Sequence, residues 1–155
     1  MEDIISYLAE YFIPKLFEMR LEYYKNPTSL ADFAMATKEE TDKLGREILQ
    51  ASIVEMDRLI KELPARKRKW VVEHKADGRQ LLTTLGRISF SRVLYKSKTE
   101  VDEAGKPVCS YLLDNLMGLS SNQEMTEDVM ANIYQEAVQT SYRKAGEEAT
   151  SIEGV

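Results

Sequence analysis

The hydrophobic pattern changes its period at Pro64, and that change constrains the fold more than any other feature of this sequence. Across residues 4–63, apolar side chains recur every three to four positions, the spacing that gives an α-helix one apolar face. Across residues 87–98, apolar and polar side chains alternate instead, as they do in a strand with one buried face. The sequence therefore predicts an α+β fold in which long helices precede a small antiparallel sheet and further helices follow it.

Two helices are predicted before Pro64, and together they form a helical hairpin. The first covers residues 2–25, where Pro14 should kink or split the helix because proline removes a backbone hydrogen bond and clashes with the preceding turn. The second begins after Ser29, which resembles a capping box with Asp32, and ends at Pro64. The many aromatic residues of the first helix are interpreted either as core or as a surface between protomers.

Residues 70–111 predict a small antiparallel β-meander. Asp77-Gly78 is a hairpin turn signal, because the tightest hairpin turns need positive φ angles at their central residues. A strand-like stretch lies on each side of Gly86, and a short edge strand is predicted at 107–111.

The remainder of the sequence is predicted to be helical. A short buried helix is expected within residues 111–119, ended by Gly118, and a last helix is expected from about Thr126 to about Thr150. The chain is expected to be a fragment, since Gly154 has the character of a turn that leads into another element. The predicted organisation is one compact domain with a helical assembly region at 1–64, basic strands at 65–111 and a helical segment at 112–155.

Positive charge is concentrated in residues 66–98. This stretch holds ten Lys/Arg and only two acids, Glu73 and Asp77, a net charge of +8 in a chain whose total is −5. Several cations on one face favour binding to DNA, because affinity comes from releasing the counterions condensed on phosphates. The alternative is that charged outer faces serve solubility and that lysine on edge strands blocks aggregation. Trp70, Phe90 and Tyr95 are interpreted as core residues and not as base-stacking groups. The candidate DNA-binding residues are Arg66, Lys67, Arg68, Lys69, Lys75, Arg79, Arg87, Arg92, Lys96 and Lys98.

The sequence lacks the residues that catalysis needs. Its one histidine, His74, and its one cysteine, Cys109, cannot build a nucleophilic triad or a four-ligand zinc site. It has no phosphate-binding glycine motif, so no nucleotide cofactor is expected. No apolar run reaches the roughly 20 residues of a membrane span, and the acidic start is unlike a signal peptide. A cytoplasmic, non-enzymatic protein without cofactor or metal is therefore expected.

Two motifs carry a resemblance to a known family. The first is Leu81-Leu-Thr-Thr-Leu-Gly-Arg-Ile-Ser-Phe-Ser-Arg-Val-Leu-Tyr95, and the second is Tyr111-Leu-Leu-Asp-Asn-Leu-Met-Gly-Leu119. In this order and spacing they resemble the N-terminal region of bacterial insertion-sequence transposases that are filed as an uncharacterised protein family and are distantly related to Mutator-like transposases. The ending, residues 141–155, is similar to the first half of the helix-turn-helix of that family.

The resemblance implies a protein region that binds DNA without cutting it. The Asp/Asp/Glu metal-dependent nuclease core of such proteins lies downstream of the helix-turn-helix, so no catalytic or metal site is carried over to these residues. The N-terminal region implies recognition of terminal repeats in duplex DNA and assembly of a dimer or larger homo-oligomer through the N-terminal helices. The acidic helices confine DNA contact to the basic strands. The alternative function is a homo-oligomerisation module without DNA contact of its own.

Overall fold

Long helices precede the sheet, as the period of the hydrophobic pattern predicts. The computed structural model describes the backbone of residues 2–153 and the side chains of residues 3–150. The fold is mixed α+β, with a three-stranded antiparallel sheet between two helical segments of the sequence. The elements are α1 (Glu2–Tyr7), a π-helical turn (Leu8–Phe12), α2 (Ile13–Lys25), α3 (Leu30–Glu62), α4 (Pro64–Lys69), β1 (Trp70–Thr83), β2 (Gly86–Val101), β3 (Pro107–Ser110), α5 (Leu112–Leu116) and α6 (Glu127–Glu153).

The helical path continues through Pro14, but a π-helical turn before it separates the first helix into α1 and α2. The residue before Pro14, Ile13, donates its backbone N–H to the carbonyl of Leu8, five residues back, and both Tyr7 and Ile13 keep helical backbone angles. Pro14 itself lies in the first turn of α2, where its missing N–H costs no hydrogen bond of that helix. The predicted split is therefore a π-helical turn, which takes up one extra residue where proline would otherwise leave a carbonyl unpaired.

Ser29 begins α3 without the capping box that the sequence predicts. It is the N-cap residue, yet its hydroxyl donates to the carbonyl oxygen of Asn26 at 2.7 Å and makes no capping bond to α3. A short polar side chain here bonds the turn that precedes the helix in preference to the helix itself. From Leu30, α3 runs unbroken for 33 residues.

One face of α1 and α2 packs against α3. The Tyr23 ring stacks on Phe33 with centroids 4.6 Å apart, and Met19 is buried between the helices. The Tyr11 hydroxyl accepts a hydrogen bond from Lys43 Nζ at 2.7 Å and donates to Glu40 at 3.4 Å. Of the two interpretations that the sequence left open, the aromatic residues on this face agree with packing inside the protein. Other apolar residues of the same helices are exposed.

The β1–β2 hairpin turns at Thr84 and Leu85 and not at Asp77-Gly78, so the sequence-based turn assignment is wrong. Asp77 and Gly78 lie inside β1, opposite Arg92 and Ser91, where the strand register shifts. The pairing then closes at Thr83 opposite Gly86, whose φ of 110° supplies the left-handed conformation that the turn requires. Pairing along the whole of β1 outweighs the local turn signal, and the two register shifts, between Val72 and His74 and between His74 and Asp77, both lie before Asp77-Gly78. β3 completes the strand order β1-β2-β3.

The core lies between α3, α5 and one face of the sheet. Tyr95 is completely buried and Phe90 nearly so, which confirms the prediction that both are core residues. Trp70, predicted with them, is partly buried and packs against this core. The inward residues of β2 change from even to odd numbers between Phe90 and Val93, next to the register shift that lies between the pairs Asp77–Arg92 and His74–Leu94. The buried cluster consists of Ile53, Ile60, Leu81, Ile88, Phe90, Val93, Tyr95 and Leu113.

The C-terminal segment is attached to the free edge of β1. Leu82 donates its N–H to Glu124 O at 2.9 Å and accepts from Thr126 N–H at 3.0 Å, so residues 124–126 continue the sheet. The short buried helix is confirmed as α5, and Gly118 ends the segment after it with a φ of 67°. The last helix begins one residue after its predicted start and is a single helix to Glu153, with Gly154 outside the described residues. Among residues 2–153, no helix is both long and apolar enough to cross a membrane.

Candidate nucleic-acid interface

The ten candidate cations occupy four different environments. Some are buried inside the fold, one folds back on the backbone, one is paired with a neighbouring acid, and the remainder are exposed. Only the exposed group is available to phosphates, because a buried guanidinium that already has its partners cannot also reach solvent.

Arg79 and Arg92 are buried around a single carboxylate, that of Asp114. Asp114 Oδ2 accepts from Arg79 Nη1 at 2.7 Å and lies 2.8 Å from Arg92 Nε, with all three side chains almost completely buried. Arg79 Nη2 also donates to the carbonyl oxygens of Ser120 and Gln123 at 2.6 and 2.9 Å. These two arginines hold the fold together and do not contribute to a DNA-binding surface.

Tyr111 extends this network towards the surface of the sheet. The Arg92 guanidinium lies 3.9 Å from the centre of the Tyr111 ring, and the Tyr111 hydroxyl donates to Asp77 at 2.7 Å. That hydrogen bond lowers the pKa of Asp77 and raises the pKa of Tyr111, because it stabilises the ionised carboxylate and the protonated phenol. His74 lies 3.4 Å from the same carboxylate and is exposed.

The sequence contains one indication of this buried network, although the basic charge of residues 66–98 draws attention away from it. Asp114 is the only charged residue of the apolar stretch Tyr111 to Leu119. A carboxylate in a buried helix needs cationic partners, so its position predicts that some arginines are internal. The resemblance motif contains both Tyr111 and Asp114, and the structure gives these two residues a packing role.

Arg66 folds back over the corner between α3 and β1. It donates to the backbone carbonyls of Trp70, at 3.2 Å, and of Lys61, and its guanidinium lies 5.2 Å from the centre of the buried Tyr95 ring. The side chain is partly buried and is used to close the ends of α3 and α4. It is the third arginine of the ten with a structural role.

Lys96 is paired with an acid on the adjacent strand. Its ammonium lies 2.8 Å from the Glu73 carboxylate on β1. The hydrogen bond between them lowers the pKa of Glu73 and raises the pKa of Lys96, since each charge stabilises the other. This pair presents little net charge to a polyanion.

Four exposed cations lie together where α4 meets the sheet, and we call them the junction cluster: Lys67, Arg68, Lys69 and Lys98. Lys98 Nζ donates to the carbonyl oxygen of Lys67 at 2.6 Å, which holds the end of β2 against the end of α4. Among the described side chains, the one acid within ion-pair distance of the cluster is Glu62, 3.3 Å from Lys67. Both members of that pair are more than half exposed, so solvent screens it strongly.

Lys75 and Arg87 are exposed but lie away from the junction cluster. Lys75 is in the bulged part of β1, and Arg87 follows the hairpin turn. At ~3.3 Å per residue, the backbone from Arg87 to Lys98 spans roughly 36 Å of β2. The structure therefore brings together four of the ten candidates and leaves these two separate.

The described side chains offer no alternative metal site. Among residues 3–150, no group of three or more His, Cys, Asp or Glu residues is arranged to hold a metal ion. His74 and Cys109 are both exposed, on β1 and β3 respectively.

Comparison with known proteins places the chain in a family. Residues 23–155 match the profile of the "Uncharacterised protein family (UPF0236)". A UPF0236 protein of Caldanaerobacter subterraneus subsp. tengcongensis is 37% identical over 148 residues, which cover 96% of this chain and 30% of that protein. Its name joins eleven locus designations. A second UPF0236 protein of the same organism is 35% identical over 96% of this chain and 30% of its own length, and another is 38% identical over 78% of this chain and 25% of its own.

The chain thus spans about 30% of the length of the first two relatives. No solved structure matches it. Because the family profile covers most of the chain and the identities extend over nearly all of it, the chain belongs to the uncharacterised protein family UPF0236.

Proposed function

We propose that this chain is a non-catalytic DNA-binding and assembly domain, the N-terminal part of a transposase-like protein. The observation that carries the proposal is the junction cluster, in which exposed Lys67, Arg68, Lys69 and Lys98 come from the adjoining ends of α4 and β2 in a chain of net charge −5. A local concentration of positive charge on an acidic protein favours one anionic partner at one place.

The physical chemistry of the junction cluster suits a phosphate backbone better than a small anion. Its cations are spread over the last residues of α4 and the outer part of β2. Such a surface follows a line of phosphates, and each phosphate neutralised releases condensed counterions. The acidic faces of α3 repel DNA, so contact is confined to the end of the sheet.

The relatives support the transposase-like part of the proposal. One protein name in a single organism joins eleven locus designations. A gene repeated at many positions in one genome is what copying by a mobile element produces. Catalysis would then belong to the part of the longer family proteins that this chain does not cover, and this domain would hold DNA ends in duplex form.

A salt titration tests the DNA contact. Binding of the chain to a fluorescent DNA duplex is followed by anisotropy between 50 and 200 mM salt, where neutralising four phosphates predicts a slope of log K against log salt of about −3.6. Arg68→Gln/Lys69→Gln/Lys98→Gln removes three of these charges and should reduce the magnitude of the slope by about 2.7. The matched control, Lys38→Gln/Arg58→Gln/Lys106→Gln, removes three exposed cations elsewhere and should leave the slope unchanged.

Two results would contradict the proposed contact. One is that the wild-type chain does not bind duplex DNA at 50 mM salt. The other is that the control variant weakens binding as much as the junction-cluster variant does, which would show only a general charge effect. A duplex with a family terminal repeat and a scrambled duplex of the same length then separate specific recognition from backbone contact.

The alternative function is a homo-oligomerisation module without DNA contact of its own. It is favoured by a specific observation, the large apolar side chains that α1 and α2 leave exposed. A chain that self-associates and gives no anisotropy change with DNA would support this alternative.

A further inference from the structure

The helices α1 and α2 are apolar on two opposite sides. One side packs on α3 through Tyr11, Met19 and Tyr23. The other side faces away from the protein and carries a row of large apolar side chains that are 37% to 61% exposed. We call this row the outer stripe: Ile5, Ile13, Leu16, Phe17, Leu21 and Tyr24.

The π-helical turn brings both halves of the outer stripe to the same side. In an uninterrupted α-helix, Ile5 and Ile13 would be rotated from one another by about 80°, because successive residues turn by about 100°. The extra residue of the Leu8–Phe12 turn offsets most of that rotation. Both isoleucines are exposed in the structure, in agreement with this geometry.

The size of the outer stripe is that of a protein interface. Each of its six side chains leaves on the order of 100 Å² exposed, so that roughly 600 Å² of each protomer would be covered, close to the ~800 Å² per partner of specific interfaces. Single exposed apolar residues need no explanation, but a contiguous row of this size does.

The charges beside the outer stripe are complementary to those of a second copy running in the opposite direction. Residues 2–12 contain three acids and no Lys/Arg, whereas residues 13–25 contain three Lys/Arg and two acids. Arg20 donates to the Tyr24 hydroxyl at 2.8 Å, and among residues 3–150 no carboxylate lies within ion-pair distance of it. Glu10 likewise has no cation within that distance in the described part of the chain.

We propose that the outer stripe is the interface of a homodimer in which the α1–α2 helices of two copies pack antiparallel. With the two-fold axis level with residue 15, Ile13 of each copy faces Phe17 of the other, and Glu10 of each faces Arg20 of the other. A two-fold interface must be self-complementary in this way. The proposal rests on the assembly part of the proposed function, and it specifies the partner and the register.

A second copy is favoured over other occupants because each copy carries both an acidic half, residues 2–12, and a half with the Lys/Arg residues, residues 13–25. In an antiparallel pair each half faces the opposite half of the other copy. A DNA surface would be repelled by the acidic half and could not cover apolar side chains. Another segment of a longer family protein would need its own charge pattern, whereas a second copy supplies the complementary pattern without further assumption.

Sedimentation velocity of the chain, over micromolar to near-millimolar concentrations, measures the association. The wild type is expected to be a dimer at the upper end of this range. Ile13→Asp/Phe17→Asp should weaken the dimer more than 100-fold, since it buries two charges per copy against apolar partners. The matched control, Ile133→Asp/Tyr134→Asp, changes two exposed apolar residues of α6 and should leave the association unchanged.

Charge exchange tests the antiparallel register. Glu10→Lys and Arg20→Glu should each weaken self-association, by about tenfold, because both symmetric contacts then join like charges. A mixture of the two variants should recover wild-type affinity as a heterodimer, since each copy again meets the opposite charge. The double variant Glu10→Lys/Arg20→Glu should recover it as a homodimer.

The outcomes separate this inference from the DNA contact. A wild-type chain that is monomeric throughout, or single charge variants that associate as well as the wild type, would overturn the proposed dimer. Salt-dependent DNA binding by the Ile13→Asp/Phe17→Asp monomer would in either case leave the junction cluster standing. A dimer that binds no DNA would retain this inference and remove the DNA contact.

Discussion

At the scale of single residues, Asp114 gives Arg79 and Arg92 their structural role. Its carboxylate is shared by Arg79 and Arg92, which come from the two long strands, and Arg79 also bonds the loop that leads to residues 124–126. A buried charge is tolerated only with its partners in place, so these three side chains depend on one another. This dependence explains why two cations of a basic stretch are withdrawn from its surface.

Asp114→Asn should destabilise the protein by about 3 kcal/mol, because it leaves two buried guanidinium groups without a counter-charge. Urea unfolding followed by the fluorescence of Trp70, the sole tryptophan, measures the change. Glu103→Gln, in an exposed loop, is the control and should shift stability by less than about 0.5 kcal/mol. Equal unfolding midpoints for the two variants would show that the three charges do not depend on one another.

At the scale of elements, the β1–β2 hairpin shows how a local signal loses to pairing along a whole strand. Asp77-Gly78 has the composition of a tight turn, yet both residues are paired within β1. Gly86, which lacks a neighbouring Asn or Asp, occupies the positive-φ position. The hairpin is therefore one long two-stranded ribbon with two register shifts, in place of the turn at Asp77-Gly78 that the sequence predicts.

Gly86→Ala should cost about 1–3 kcal/mol, because a side chain is strained at a φ of 110° and its Cβ would lie 3.0 Å from Arg46 Nη1. Gly78→Ala is the matched change in the same hairpin. It meets nothing within 4 Å and should be neutral or gain up to about 1 kcal/mol, since alanine loses less backbone entropy than glycine in a strand. Thermal unfolding of both variants gives the ranking, and the reverse order would place the turn at Asp77-Gly78.

The elements also show what the sequence could and could not predict. Helices, strands and the class of fold follow from the hydrophobic period, and the junction cluster includes a contiguous run, Lys67 to Lys69, that is visible in the sequence. Arg92 continues the even-numbered inward series of Ile88 and Phe90, but burying a charge there requires a carboxylate partner, Asp114, that comes from a distant part of the sequence. Arg79 was hidden for a related reason, since its partner Asp114 is 35 residues away.

At the scale of the whole molecule, the protein consists of a packed body and one projecting helix. Every residue from 131 to 150 is exposed, although α6 carries apolar side chains such as Val138 and Tyr142. The body joins the N-terminal helices and the sheet through one core, because Ile53 and Ile60 of α3 pack on β2. Most of the free energy of folding therefore belongs to the body.

Hydrogen exchange should distinguish these two parts. The backbone amides of residues 131–150 should exchange as those of an isolated helix do, whereas the amides of the buried part of β2 should exchange only through global unfolding. The long helix α3 is the internal control, since its inner face is packed. Equal protection of α3 and α6 at a concentration where the chain is monomeric would contradict this division.

The exposure of α6 has a consequence for any surface that binds it. The free energy of its contacts with α6 must offset the conformational entropy that is lost when a marginal helix becomes fully ordered. Positions that touch nothing then control the affinity. Gly146 is one of them, because glycine lowers helix propensity by about 1 kcal/mol relative to alanine. Apart from its chain neighbours and its own helix backbone, no heavy atom lies within 4 Å of where its Cβ would be. Evolution could therefore adjust the strength of such an attachment without changing a single contacting residue.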